Sequence, residues 1–170
     1  MPQTAPGAIR STASSARNSS LIQAGEPKPF LSGLTGFYAA LSPYGYAVMR
    51  ASLGAILFLR GLNKLFFGDA ERTVPNFVKL GFAEPLVWAY FIGGVEFFGG
   101  AMLILGLATR LAAAAIAIEM AVICFGLLLP AWWWGQHGAE FVALMGLSAA
   151  GIFCHGGGRC SLDRLIGREL

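Results

Sequence analysis

The chain has 170 residues, of which 56% are hydrophobic and only 12% charged, with a formal net charge of +3. An ordinary soluble domain carries about 25% charged residues, so the composition argues against a water-soluble globule and for a single polytopic membrane domain. The apolar runs approach the ~20 residues that cross a bilayer as helix, and none alternates as a transmembrane barrel strand would. The aromatics lie inside these runs with no basic stripe among them, so nucleic acid is not an expected partner. Cys124, Cys154 and Cys160 do not suggest a disulfide framework.

Residues 1–29 are rich in Ser, Ala, Pro and Gly, with Arg10, Arg17 and Lys28 against Glu26 alone. This composition reads as a disordered basic tail, with an organellar transit peptide as the competing reading; no secretory signal is expected. Residues 30–43 are too short to span. Phe30, Leu34, Phe37, Tyr38 and Leu41 would give them one apolar face, as in a short interfacial N-terminal helix, with Pro43 as its boundary. Span one is expected from about Tyr44 to Phe67. The connection 68–85 is polar at first, and its second half could fold back on the membrane surface. Pro85 suits the first turn of the next helix.

Span two is expected from about Leu86 to Leu107, with Ala89, Gly93, Glu96 and Gly100 on one face. Thr109 and Arg110 read as a tight turn. Span three follows from about Leu111 to Leu129, with Ala112, Ala115, Glu119 and Gly126 sharing a face. Trp132 to Trp134 mark an interface, where indole rings favour the headgroup level. Span four, about Ala139 to Cys154, opens with Glu140 and is short, which fits a tilted helix. Gly156 to Gly158 end it, and Ser161 can cap a brief terminal helix. The expected fold is therefore all-α: a four-helix transmembrane bundle (44–155) between the interfacial helix and a cytoplasmic tail (156–170). The excess of Lys and Arg in one set of flanks puts both termini on the cytoplasmic side, or on the matrix side of an organelle.

Span one carries the chemistry. As a helix it aligns Arg50, Gly54, Leu57, Gly61 and Lys64 on one stripe, with Arg60 on its edge, while Ala55, Ile56, Leu59, Leu62 and Phe66 form the greasy opposite side. A cation near the bilayer centre costs about 2.5–3.5 kcal/mol on insertion scales, so such groups face protein or trapped water. By depth, Arg60 can meet Glu96 or Glu119, and Lys64 can meet Glu140. The expected site is a buried polar cluster of Arg50, Arg60, Asn63, Lys64, Glu96, Glu119 and Glu140. Two roles compete for it: a pocket open to quinone or protons, or ion pairs that only fix helix register. Cys154, His155 and Cys160 fall short of a closed four-ligand zinc set, so no metal is expected. Gly156 to Gly158 lack the downstream Lys-Ser/Thr of a phosphate loop. His137 reads as interfacial and Cys124 as packing. No nucleophile–base–acid constellation is readable.

These residues together resemble the DoxX family. Arg50, Leu53-Gly54, Leu57-Phe58, Gly61 and Lys64-Leu65 resemble its first helix. Glu96, Gly99-Gly100, Leu103 to Leu107 and Thr109-Arg110 resemble its second. Gly138-x-Glu140 and the ending Gly156-Gly157-Gly158 to Ser161-Leu162-Asp163 resemble its fourth helix and tail. The resemblance covers about residues 46–165. It implies a small four-helix protein of the bacterial plasma membrane that serves a quinone-linked redox system, with quinone as the ligand and a membrane redox partner subunit supplying electrons. Its partners would be the lipid bilayer, that subunit, or a second copy in a homo-oligomer. A transporter or permeation subunit using the same charged cavity, or a structural assembly subunit, is the alternative. Arg60 stands where the family pattern has His or another polar residue, and Glu119 where it has an apolar one, so the two form a candidate compensating pair.

Overall fold

In a computed structural model, residues 33, 35–128 and 139–167 are described, and among them every regular element is helical. The order is α1 (Thr35–Phe66), α2 (Asp69–Lys79), α3 (Pro85–Leu105), α4 (Thr109–Ile123), a π-helical extension of α4 (Cys124–Leu128), α5 (Glu140–His155) and α6 (Leu162–Ile166). Two compact units divide at Met1–Ala39 and Ala40–Leu170. All contacts that follow lie within the second. The basic tail 1–29, the tryptophans Trp132 to Trp134 and His137 lie outside the described residues.

Three helices are long and apolar enough to cross a membrane: Gly36–Phe66, Pro85–Leu105 and Thr109–Leu128. Helix α5 is apolar but has 16 residues. The surface matches this reading, since large apolar side chains such as Val48, Leu59, Phe98, Leu111 and Leu147 are exposed along the helices. In water such a surface would be an aggregation liability, whereas in lipid it costs nothing.

The chain departs from its sequence expectation at three places. The backbone of α1 stays helical through position 43, so no separate interfacial helix ends there. A Pro breaks one hydrogen bond of a helix, a loss that membrane helices tolerate. The connection after α1 is itself a helix, α2, with Asp69 and Glu71 in its first turn and Lys79 in its last. Those charges match the helix dipole, and the helix also accommodates Pro75 in its interior. Third, Thr109 is the first residue of α4, and the turn is made instead by Gly106, Leu107 and Ala108. Gly106 has φ 68°, a region that favours glycine.

The helices approach most closely where side chains are smallest. A Cβ on Gly54 would fall 2.7 Å from Gly100 O, and one on Gly61 would collide with the backbone N of Phe97. A Cβ on Gly100 would in turn strike Phe58 N. The glycines of α1 and α3 thus set backbone on backbone, the close packing that membrane helices use in place of hydrophobic drive. Leu53, Leu57, Leu103, Ile116, Met120, Met145 and Ile152 fill the core that α1, α3, α4 and α5 share. Along α4 and its extension Cys124 is buried and Gly126 exposed, and a Cβ on Gly126 would fall 2.8 Å from the Leu80 side chain.

Candidate functional site

The stripe on α1 is buried along its length. Arg50, Gly54, Leu57, Gly61 and Lys64 are all buried, and Ile56, Leu59 and Phe66 are exposed on the opposite side. The 3.6-residue period therefore carries both cations of the stripe inward, but it delivers them to two different places.

Arg50 meets the chain's own tail. Its Nη1 donates to Gly157 O and its Nη2 to Cys160 O at 2.8 Å, while Tyr46 donates its hydroxyl to Gly156 O. The tail is held from the other side by Asp163. Its carboxylate accepts from Ala108 N (2.6 Å), Thr109 N (2.9 Å) and Thr109 Oγ1 (2.8 Å). Ala108 stands at the N-cap of α4 with φ 43° and has no side chain able to cap, so Asp163 caps the helix from 55 residues away. Burial alone would push the Asp163 carboxyl up. The bonds from Thr109 and Ala108, with the Arg50 charge nearby, outweigh burial and hold it below its ordinary value of 3.8. Ser161 caps α6 as expected, accepting from Arg164 N.

The second place lies further along α1. Glu96, fully buried on α3, receives two cations from α1. Lys64 Nζ stands 2.6 Å from its Oε2, and Arg60 Nε donates to its Oε1 at 3.3 Å. Lys64 is close but lies off the hydrogen-bond direction of Oε2, so that contact is mainly electrostatic. Gly93, one turn before Glu96, lets α3 come near: a Cβ there would sit 3.0 Å from Lys64 Cβ. Glu119, buried on α4, faces this group and interacts with Glu96, Lys64 and Arg60. Its side chain lies within hydrogen-bonding reach of the Glu96 carboxyl group, whose Oε2 has no other hydrogen-bond partner. Two cations and two carboxyl groups thus meet among three helices inside the apolar zone.

Beside this cluster lies a cavity of about 370 Å³. Arg60, Lys64 and Glu119 supply its charged end, and Thr73 and Asn76 of α2 add two further polar groups. The remaining walls are apolar: Phe77 from α2, Leu80 and Phe82 from the loop after it, Trp88, Phe91, Ile92 and Val95 from α3, and Ile118, Val122 and Leu127 from α4 and its extension. Phe82 and Trp88 rings pack at 4.9 Å, and Trp88 and Phe91 at 5.6 Å. An apolar chamber with a few convergent polar groups at one end is the usual form of a small-molecule site, and the volume falls within the common range of about 300–1,000 Å³.

Of the seven residues in the expected cluster, Arg60, Lys64, Glu96 and Glu119 come together. Arg50 does not, because it binds tail carbonyls instead of carboxylates. Asn63 is exposed, one position off the stripe. Glu140 is half-buried at the first position of α5, and the carboxylate that Lys64 pairs with is Glu96. The expected pairing of Lys64 with Glu140 followed depth alone, and depth does not fix which way around the helix a side chain points. Among the described residues no group of three His, Cys, Asp or Glu could hold a metal ion. The sequence expectation missed the contribution of α2. Its signal was present in the charges of its two end turns and in Phe77 and Leu80 spaced by three.

The DoxX family model matches residues 45–134, more than half of the chain. The chain is 30% identical over 122 residues to the "Putative oxidoreductase CatD" of Bacillus subtilis (strain 168), covering 72% of this chain and 87% of that protein. No solved structure matches it. Both similarities run through the helices that carry Arg60, Lys64, Glu96 and Glu119, and the chain is a membrane protein of the DoxX family.

Proposed function

We propose that this chain is a four-span subunit of the bacterial plasma membrane, with both termini cytoplasmic, that binds a quinone in the cavity and serves a membrane redox system. The observation that carries the reading is the cavity itself, apolar and aromatic along its walls with Arg60, Lys64 and Glu119 at one end. A quinone has that division: a flat ring bearing two acceptor oxygens, and an apolar tail. Lys64 and Arg60 are donors that can reach carbonyl oxygens, and Glu119 is a group that can take up or release a proton beside them. The oxidoreductase name of the Bacillus relative points the same way. The side chains at the cavity bind and handle protons, and electrons would come through a partner subunit.

The test is a titration of a decyl-substituted benzoquinone into the protein held in lipid nanodiscs, with empty nanodiscs as the reference. The expected result is saturable binding that Ile92→Trp, which fills the chamber, weakens by about tenfold or more while helix content is unchanged. Partitioning equal to that of empty nanodiscs would remove the reading.

A structural reading of the ion pairs is favoured by one observation. Glu96 is fully buried with both of its oxygens near cations, as a group fixing helix register would be. This assigns Glu96 to assembly and leaves Glu119 to the ligand.

A further inference from the structure

Glu96 and Glu119 are both acids, yet they face each other inside the protein. Glu96 is fully buried on α3, Glu119 is 6% exposed on α4, and their side chains lie within hydrogen-bonding reach. An ionised carboxylate only accepts hydrogen bonds. Two ionised carboxylates so placed would set like charges against each other with no hydrogen between them. The rest of the chain supplies few donors. Arg60 Nε donates to Oε1 of Glu96, while Oε2 of Glu96 and both oxygens of Glu119 accept from no other group among the described residues. One hydrogen carried by the pair accounts for this arrangement: one carboxyl group donates it and the other accepts it.

We propose that Glu96 and Glu119 form a proton-binding site, in which the two acids hold one proton in common and exchange it with the chamber through Glu119. The direction of exchange follows from position. Glu119 lines the chamber, and Glu96 lies behind it with no exposed surface. The charges that act on Glu119 are those of Glu96 on α3 and of Lys64 and Arg60 on α1. Helix α2 brings only the uncharged Thr73 and Asn76 to the chamber, and α5 carries Glu140 and His155 at its two ends. With the proton bound, two cations stand against one negative charge. With the proton gone, two cations stand against two. Neither state strips an acid of its counter-charge, so the proton can leave and return. In leaving, the O–H bond at Glu119 breaks, its electron pair stays on the carboxylate, and the proton passes to a base in the chamber, either water or an acceptor oxygen of a ligand. This goes beyond the quinone reading and does not rest on it. An apolar residue at position 119 would leave Glu96 as a plain partner of two cations, with no proton to share.

The experiment is infrared spectroscopy of the protein in nanodiscs without added ligand, in water and in deuterium oxide at neutral pH. The wild type is expected to show the carbonyl stretch of a protonated carboxyl group, moving to lower frequency in deuterium oxide. Glu119→Gln and Glu96→Gln are each expected to lose that band, because either acid alone faces two cations and is ionised. Loss in both single variants is the mark of a proton held in common, and ion pairs that only join helices would not produce it. Ile92→Trp, which fills the chamber, is expected to keep the band and to slow its deuterium shift severalfold. Absence of the band from the wild type would overturn the proposal. So would a band that persists in Glu119→Gln, or one that persists in a folded Glu96→Gln. If Glu96→Gln does not fold, the wild type and Glu119→Gln decide the matter. A deuterium shift as fast in Ile92→Trp as in the wild type would overturn exchange through the chamber. Failure of quinone to bind would leave the band in place, so the two readings fail separately.

Discussion

Helix α1 buries two stripe cations, Arg50 and Lys64, roughly 21 Å apart along its axis, and the fold treats them in opposite ways. At Arg50 the guanidinium ends on carbonyls of the tail, and the nearby acid, Asp163, accepts three bonds while capping α4. At Lys64 one carboxylate serves two cations, a second carboxyl group faces the same cluster, and a chamber opens beside them. Buried charge does not by itself mark a working site. It is structural where backbone carbonyls of the chain receive it, and it points to a ligand where a chamber opens beside it.

The comparison can be broken by substitution. The largest effect is expected at Glu96. Glu96→Leu leaves Lys64 buried without its counter-charge, which costs about 3–5 kcal/mol in unfolding measured in detergent. The double variant Lys64→Met/Glu96→Leu should recover most of that loss. A single variant as stable as the wild type would show that the pair does not hold the helices.

Arg50→Leu should cost about 2–4 kcal/mol, because the carbonyls of Gly157 and Cys160 lose charged donors. It should leave quinone binding as it was. If binding fell along with stability, the two polar regions would not be independent. Gly61→Ala tests the contact that brings them into register. Its Cβ meets backbone of α3, so about 1–3 kcal/mol should be lost. A neutral outcome would mean that α1 and α3 stand further apart.

How much of this was legible in the sequence depends on the kind of contact. The stripe of α1 and the inward face of Ala89, Gly93, Glu96 and Gly100 were readable, because a helix repeats with a fixed period and membrane helices bury their small and charged side. Depth left Arg60 two acids to meet, Glu96 or Glu119, and it lies against Glu96. The partners of Arg50 were not readable, since they are backbone carbonyls, which every residue has. Asp163 was hidden for a related reason: it caps a helix distant in sequence. The hint was Ala108, a residue that cannot cap, just before α4.

A change of pH sharpens the contrast at the tail. Asp163 has its folded value held below 3.8, so its contribution to stability is fully present above pH 3.8. That contribution is lost as the pH falls below 3.8 through the lower folded value. Asp163→Asn should remove this acid-side loss from a thermal unfolding series, and an unchanged acid limb would detach Asp163 from the fold. The smallest effect on stability is expected at Glu119. Glu119→Leu removes the second of two buried acids that face each other, so stability should shift by less than about 1 kcal/mol or rise. A loss as large as that at Glu96 would place Glu119 among the structural groups.

The most direct measurement is photolabelling in native-like lipid with an azido derivative of the decyl benzoquinone, mapped by peptide mass spectrometry. Label concentrated on the cavity walls, at Phe77, Trp88, Phe91 or Val122, and displaced by unlabelled quinone, is the expected result. Label spread over the outward-facing Val48, Phe98 and Leu147, and not displaced, would contradict a ligand chamber beside the Lys64–Glu96–Glu119 cluster.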